Sequence, residues 1–147
     1  MIVGVANGSW IEHGTAVIGE IGGDHNGFGV TGICPNAHIS GASFFWPELV
    51  FDAAPLAPAV KFAADRLRPG DIMLLEDQEY GPRYNFTSPT KPYSQAGCIA
   101  VEWWPDIYVA IRYAVNRHSI VVEAAGNGNE NLDDPLYDIK PRNSFPR

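Results

Sequence analysis

Hydrophobic and polar positions along this chain alternate between two rhythms. Val60, Ala63, Ala64 and Leu67 recur at i, i+3, i+4 and i+7, the apolar face of a helix. Pro58 sits near its start, Arg66 and Arg68 suit its C-terminal end, and Pro69-Gly70 closes it. Asp71 then leads into Ile72-Met73-Leu74-Leu75, a continuous apolar run of the kind that parallel strands covered on both faces carry. Trp104, Ile107, Tyr108, Ile111 and Val115 form a second helical stripe, with Pro105 in its first turn. Ser119 to Ala125 (SIVVEAA) reads as a strand, and so does His38 to Phe45 (HISGASFF), stopped by Pro47. An earlier helix runs from His13 to about Gly22 and turns Val17, Ile18 and Ile21 toward a core; Gly22-Gly23 ends it. The alternation predicts an α/β fold: a parallel sheet with helices on both faces. Asp24 to Gly29 is turn-rich, and Gly81 to Ala96 reads as a surface loop. The stretch after Asn131 has no periodicity, and neither an internal repeat nor a domain boundary is visible.

Composition narrows the partners. The 147 residues suffice for one modest core, and 46% hydrophobic residues with 12% aromatic mark a globular chain. A net charge of −7 argues against nucleic acid, because phosphate binding needs a basic face. No apolar run approaches the roughly 18 residues of a membrane span, and Met1-Ile2-Val3-Gly4-Val5 lacks the basic region of a secretory signal. Cys34 and Cys98 could pair, but two cysteines make no disulfide framework. Asn7-Gly8-Ser9 and Asn85-Phe86-Thr87 match the glycosylation acceptor.

Chemistry in an open parallel sheet gathers beyond the carboxyl ends of its strands. Two segments qualify: Glu76-Asp77-Gln78 after Leu75, and Gly126-Asn127-Gly128 after Ala125, both leaving the same edge. Asn127, between two glycines, is either a turn residue tolerating left-handed geometry or an amide held at a fixed point. His13 opens a small-residue helix, where Gly14 leaves room beside the ring and Thr15 can satisfy first-turn donors. Gly27-x-Gly29-x-x-Gly32 matches the dinucleotide fingerprint by letter only, since no strand precedes it and Pro35 follows. The four histidines show no zinc spacing such as H-E-x-x-H.

Three of these pieces resemble one family in their order and spacing. His13-Gly14-Thr15-Ala16-Val17-Ile18-Gly19 is similar to the histidine motif of subtilisin-like serine peptidases. Gly29-Val30-Thr31-Gly32-Ile33-Cys34-Pro35-Asn36-Ala37 resembles their GVxGIAPxA segment, and Val121 to Gly128 their AAGN turn. Cys34 stands where these proteins usually carry a small apolar residue, which implies a buried free thiol there. The resemblance spans about residues 10 to 133. It implies a subtilisin-like fold and a serine endopeptidase that cleaves peptide bonds through an acyl-enzyme, with peptide or protein substrates. His13 would then be the general base and acid, and Asn127 the oxyanion-hole donor. By position, Glu76, Asp77 and Gln78 would lie along the strand that pairs with an extended substrate. It implies no required cofactor; calcium as a structural ion enters only through Asn26, which falls where calcium-binding members place a ligand. It also points to an extracellular setting, and leaves the oligomeric state open.

The remaining triad segments are not in these residues. Residues 1–12 contain no aspartate, and after Asn127 the single serine is Ser144, in Asn143-Ser144-Phe145-Pro146, where proline opposes a helix start. The chain is therefore expected to be an incomplete catalytic domain, inactive alone. The alternative is a non-catalytic peptide-binding or interaction module on the same fold.

Overall fold

The computed structural model describes residues 2–3, 11–43, 56–84 and 94–138. Their contacts divide the chain into two compact units, Met1–Pro55 and Leu56–Arg147, where the sequence shows no boundary. The reason is visible in the pairing: each unit closes its strands and helix ends with its own residues. Phe44, Phe45 and Pro47 of the expected strand, both glycosylation acceptors and Ser144 lie outside the described residues.

In the first unit, β1 (Ile2–Val3) pairs in parallel with β2 (Gly41–Ala42), Ile2 opposite Gly41 and Val3 opposite Ala42. Helix α1 (Ile11–Gly22) joins the region between them, starting at Ile11 rather than His13 and ending where Gly22-Gly23 predicts. The last turn of any helix leaves carbonyls without partners. Here Gly23 N–H donates to Gly19 O at 2.9 Å, and the N–H groups of Ile33 and Cys34 reach Glu20 O and Ile21 O at 2.9 and 2.7 Å. Gly32 makes that return possible: it is buried, and a Cβ there would stand 2.6 Å from Ile21 O and overlap Gly23 N. The helix end is thus capped by backbone, with the Ile39 side chain lying against Gly22. Val17 and Ile21 are half-buried, but Ile18 is 44% exposed, against the expectation that it faces a core. Cys34 is likewise exposed and not buried, because the segment engages α1 through its main chain.

The second unit holds the core. Its elements are α2 (Leu56–Ala64), β3 (Ile72–Leu75), β4 (Gln78–Tyr80), β5 (Cys98–Ala100), α3 (Pro105–Asn116) and β6 (Ile120–Glu123). β3 and β6 pair in parallel from Ile72 opposite Ile120 to Leu75 opposite Glu123, with α3 in the crossover. Gly70, at φ +89°, turns the chain so that its N–H donates to His118 O at 2.8 Å, which sets the start of both strands. Helices α2 and α3 pack on each other through Leu56, Val60 and Ala64 against Ile107, Ala110, Ile111 and Ala114, all buried. Polar bonds tie their ends, Tyr113 Oη donating to Asp65 Oδ1 at 2.6 Å and Arg117 Nε to Ala64 O at 3.1 Å. Full burial of one such aliphatic side chain is worth about 1.5–3 kcal/mol, so this helix pair carries much of the unit's stability.

The parallel pair departs from the expected double cover. Met73 and Leu75 are buried, while Ile72 and Leu74 are 65% and 38% exposed and Ile120 and Val122 54% and 49%. Side chains alternate across a strand, so one face of the pair is packed and the other is not covered by described residues of this unit. The class is α/β with a parallel pair, and among the described residues of this unit helices lie on one of its faces rather than both. A second pairing is absent from the sequence expectations: β4 and β5 run antiparallel, Gln78 opposite Ala100 and Tyr80 opposite Cys98.

Candidate functional site

Parallel register carries Glu76-Asp77-Gln78 and Ala124 to Gly128 to one end of the β3–β6 pair, as the strand rule predicts. Ala124 N–H donates to Leu75 O at 3.1 Å and extends the ladder to the edge of the turn. Gly126 then adopts φ +93°, a conformation glycine takes without strain. Its Cα also lies so close to the β5 segment that a Cβ would stand 2.7 Å from both Cys98 O and Ile99 Cα. A Cβ on Gly128 would overlap Cys98 N and O. Both glycines flanking Asn127 are therefore fixed by contact with the Gly97–Ile99 backbone, while Asn127 itself stays exposed.

Two glutamines hold Asn127. Its main-chain N–H donates to Gln78 Oε1 at 2.6 Å, and its side-chain Nδ2 donates to Gln95 Oε1 at 3.3 Å. Gln95 heads a tight turn in which Cys98 N–H donates to Gln95 O at 3.0 Å and Gly97 has φ +80°. Ser94 Oγ accepts from Ala96 N–H at 3.2 Å within the same turn. That turn is stitched to the asparagine turn by Gly97 N–H to Gly128 O at 3.2 Å and Gly128 N–H to Cys98 O at 2.9 Å. Gln95 has no local signature in the sequence; only the positive-φ glycine two residues on marks its turn.

Downstream, a second polar group clamps the segment that leaves Asn127. Arg83 Nε donates to Glu130 Oε2 at 2.5 Å and Arg83 Nη2 to Asp134 Oδ2 at 3.0 Å, while Tyr137 Oη donates to Glu130 Oε2 at 2.6 Å. The Glu130 side chain is only 5% exposed, so its charge is compensated by these donors rather than by water. Burial and the bond to Glu130 push the Tyr137 phenol up to about 12.

Carboxyl groups crowd the same end of the sheet. Burial lifts Asp77 to about 6. Burial, reinforced by Asp77 and Asp106, lifts Glu79 to about 7. Glu123, at the end of β6, is raised to about 7 by burial and by the neighbouring Glu102. Burial, then Glu79 and Asp77, also push the Cys98 thiol up, which keeps it protonated and a poor nucleophile. A cavity of about 220 Å³ opens between Ile99, Glu102, Trp103, Tyr108 and Tyr137, and Asn127 does not line it.

Of the residues singled out by sequence, Asn127 and Gln78 are brought into direct contact, with Asp77 half-buried and Glu76 exposed beside them. His13 is exposed in the first turn of α1 and belongs to the first unit, whereas the other four belong to the second. Asn26 Oδ1 accepts from Phe28 N–H at 3.0 Å and so serves its own turn. Among the described residues, no group of three or more His, Cys, Asp or Glu is arranged to hold a metal ion. None of their helices is long and apolar enough to cross a membrane. No protein-family model, curated protein or solved structure matches the chain.

Proposed function

We propose that this chain is the central part of a subtilisin-like serine endopeptidase domain, with His13 as general base and acid and Asn127 as oxyanion donor. The observation that carries this is the Asn127 turn. An exposed carboxamide sits at the carboxyl end of a parallel pair, its flanking glycines pressed against backbone and both of its nitrogens anchored. Preorganised donors of this kind stabilise charge that develops only in a tetrahedral intermediate, without reorganising at the moment of reaction. Gln78 serves here as a support for the turn, and Glu76 and Asp77 lie along the edge where an extended peptide would pair. The orienting aspartate and the nucleophilic serine are to come from sequence outside these residues. Calcium, as a structural ion near Asn26, remains secondary to this proposal.

The test uses the complete reading frame that contains this segment. Its product should react with a serine-directed phosphonate, and the 147-residue chain alone should not. Replacing Asn127 with Leu, of similar size but without a donor, should lower kcat by about 10²- to 10³-fold and leave KM nearly unchanged. Stoichiometric labelling of the isolated chain, or unchanged turnover per titrated active site in Asn127→Leu, would overturn the proposal. A product that binds peptides but never labels would favour the non-catalytic module.

A further inference from the structure

We infer that Gln95 is a positioning residue that sets which way the Asn127 carboxamide faces; the inference rests on the oxyanion role proposed above. An asparagine side chain ends in two groups of nearly equal size and opposite polarity, so packing alone does not decide whether nitrogen or oxygen points at a given spot. The decision falls to its partners. Gln95 Oε1 lies 3.3 Å from Asn127 Nδ2 and accepts from it, which draws the nitrogen end to that side. Reversing Asn127 alone, with Gln95 as it stands, would bring two carbonyl oxygens together. An –NH₂ group carries two hydrogens; one is committed to Gln95, and among the described residues the other has no acceptor. Gln95 thus fixes the rotation of the amide while leaving one donor for a ligand oxygen.

The anchors around this contact are what give it direction. Gln78 Oε1 takes the main-chain N–H of Asn127 at 2.6 Å, so the turn's backbone and its side chain are held by different residues on different segments. The Gln95 main-chain carbonyl accepts from the Cys98 N–H at 3.0 Å, which fixes the backbone from which its side chain reaches Asn127, and that turn is joined to Gly128 by two further main-chain bonds. Displacing the Gln95 carbonyl therefore leaves the Asn127 backbone in place and frees only the carboxamide. Both glutamines are neutral, which suits the position: a carboxylate there would sit beside the oxygen whose negative charge the donor is meant to stabilise.

The experiment is a double-mutant cycle in the complete enzyme, read as kcat and KM per active site titrated with a covalent inhibitor on a chromogenic peptide amide. Gln95→Met keeps the length and removes the acceptor. It should lower kcat by roughly 3- to 10-fold, the range of one neutral hydrogen bond, with KM within about twofold of the wild type. On top of Asn127→Leu it should cost nothing further. Gln95→Ala carries the same expectation and replaces Gln95→Met if that variant does not fold. An Asn127→Leu loss with Gln95→Met at wild-type kcat overturns the positioning role and leaves the oxyanion role standing. An equal loss from Gln95→Met in both backgrounds also overturns it, since the effect would then not pass through Asn127. If Asn127→Leu itself keeps its turnover, the oxyanion reading falls, and the inference about Gln95 falls with it.

Discussion

Two helices of equal length, α1 and α3, are held in place by different means. Each has 12 residues and an apolar stripe, yet α3 buries Ile107, Ala110, Ile111 and Ala114 whereas no described side chain of α1 is buried. α3 is fixed by interdigitation with α2 and by its rest on β6. α1 is fixed at its C-terminal end, where glycines let a following loop return close enough to take up its last carbonyls. Side-chain packing spreads stability along a helix, while a backbone cap concentrates it in one turn. The Asn127 turn therefore stands on a packed platform, and His13 lies in the first turn of α1, at the opposite end of that helix from its capped turn.

The largest effect that would break this contrast is a truncation in the packed helix. Ile111→Ala removes a side chain only 7% exposed from the buried face of α3, and should destabilise the second unit by about 2–5 kcal/mol. Ile18→Ala, at a position 44% exposed in α1, should stay within roughly 0.5 kcal/mol. Residue-resolved amide exchange assigns each loss to its unit. Comparable losses at the two positions would mean that α1 is packed as α3 is.

The backbone cap has its own probe. Gly32→Ala places a Cβ against Ile21 O and Gly23 N, main-chain atoms that cannot swing aside, and should cost about 1–3 kcal/mol in the first unit alone. Gly27→Ala is the control, because a Cβ there meets nothing within 4 Å. Exchange of the Ile33 and Cys34 amides, which donate to Glu20 and Ile21, should accelerate in Gly32→Ala and not in Gly27→Ala. If both substitutions leave those amides protected, the close approach at Gly32 does not hold the helix end.

What could be read from the sequence follows the same division. The packed platform announces itself locally. Val60, Ala64, Ile107 and Ile111 repeat with the helical period and are buried, and Ile72-Met73-Leu74-Leu75 forms the strand its apolar run predicts. The end of α1 is also legible, since Gly22-Gly23 is a local stop. Contacts between distant segments are not. Gln95 reaches Asn127 across 32 positions and Arg83 reaches Glu130 across 47, and each lies in a stretch with no periodicity to single it out. The three-residue strands β4 and β5 are too short to show alternation. Exposure of Ile72 and Leu74 is hidden for another reason: an apolar run reports what a strand can bury, not what is there to cover it.

The smallest and most discriminating effect is the pH dependence of the second unit. Glu79 and Glu123 titrate at about 7 in the folded chain against an ordinary 4.5, and Asp77 at about 6 against 3.8, each raised chiefly by burial. Between the unfolded and folded values the native state binds more protons than the unfolded chain, so stability falls as pH rises through that window. A fully buried carboxyl would lose about 1.4 kcal/mol for every pH unit separating its two values; these are half-buried and screened by water, and a net loss of about 1 kcal/mol between about pH 5 and pH 8 is expected. Asp65, Asp71 and Asp134 work the other way. Tyr113 and Lys61 hold Asp65 low, the Arg68 main chain holds Asp71 low, and the Leu136 N–H, followed by Arg83, holds Asp134 low. Their contribution is present above about pH 4 and is lost as pH falls further, so stability should peak at about pH 5. In Glu79→Gln the slope above that peak should flatten, because a neutral amide has no proton to lose, while the acid limb stays where it was. The first unit has no such cluster among its described residues, and its exchange rates, corrected for intrinsic pH dependence, should not follow that slope. A second unit whose stability does not change over the same pH range would mean that these carboxyls are solvated, and that the carboxyl end of the sheet is an ordinary wet surface.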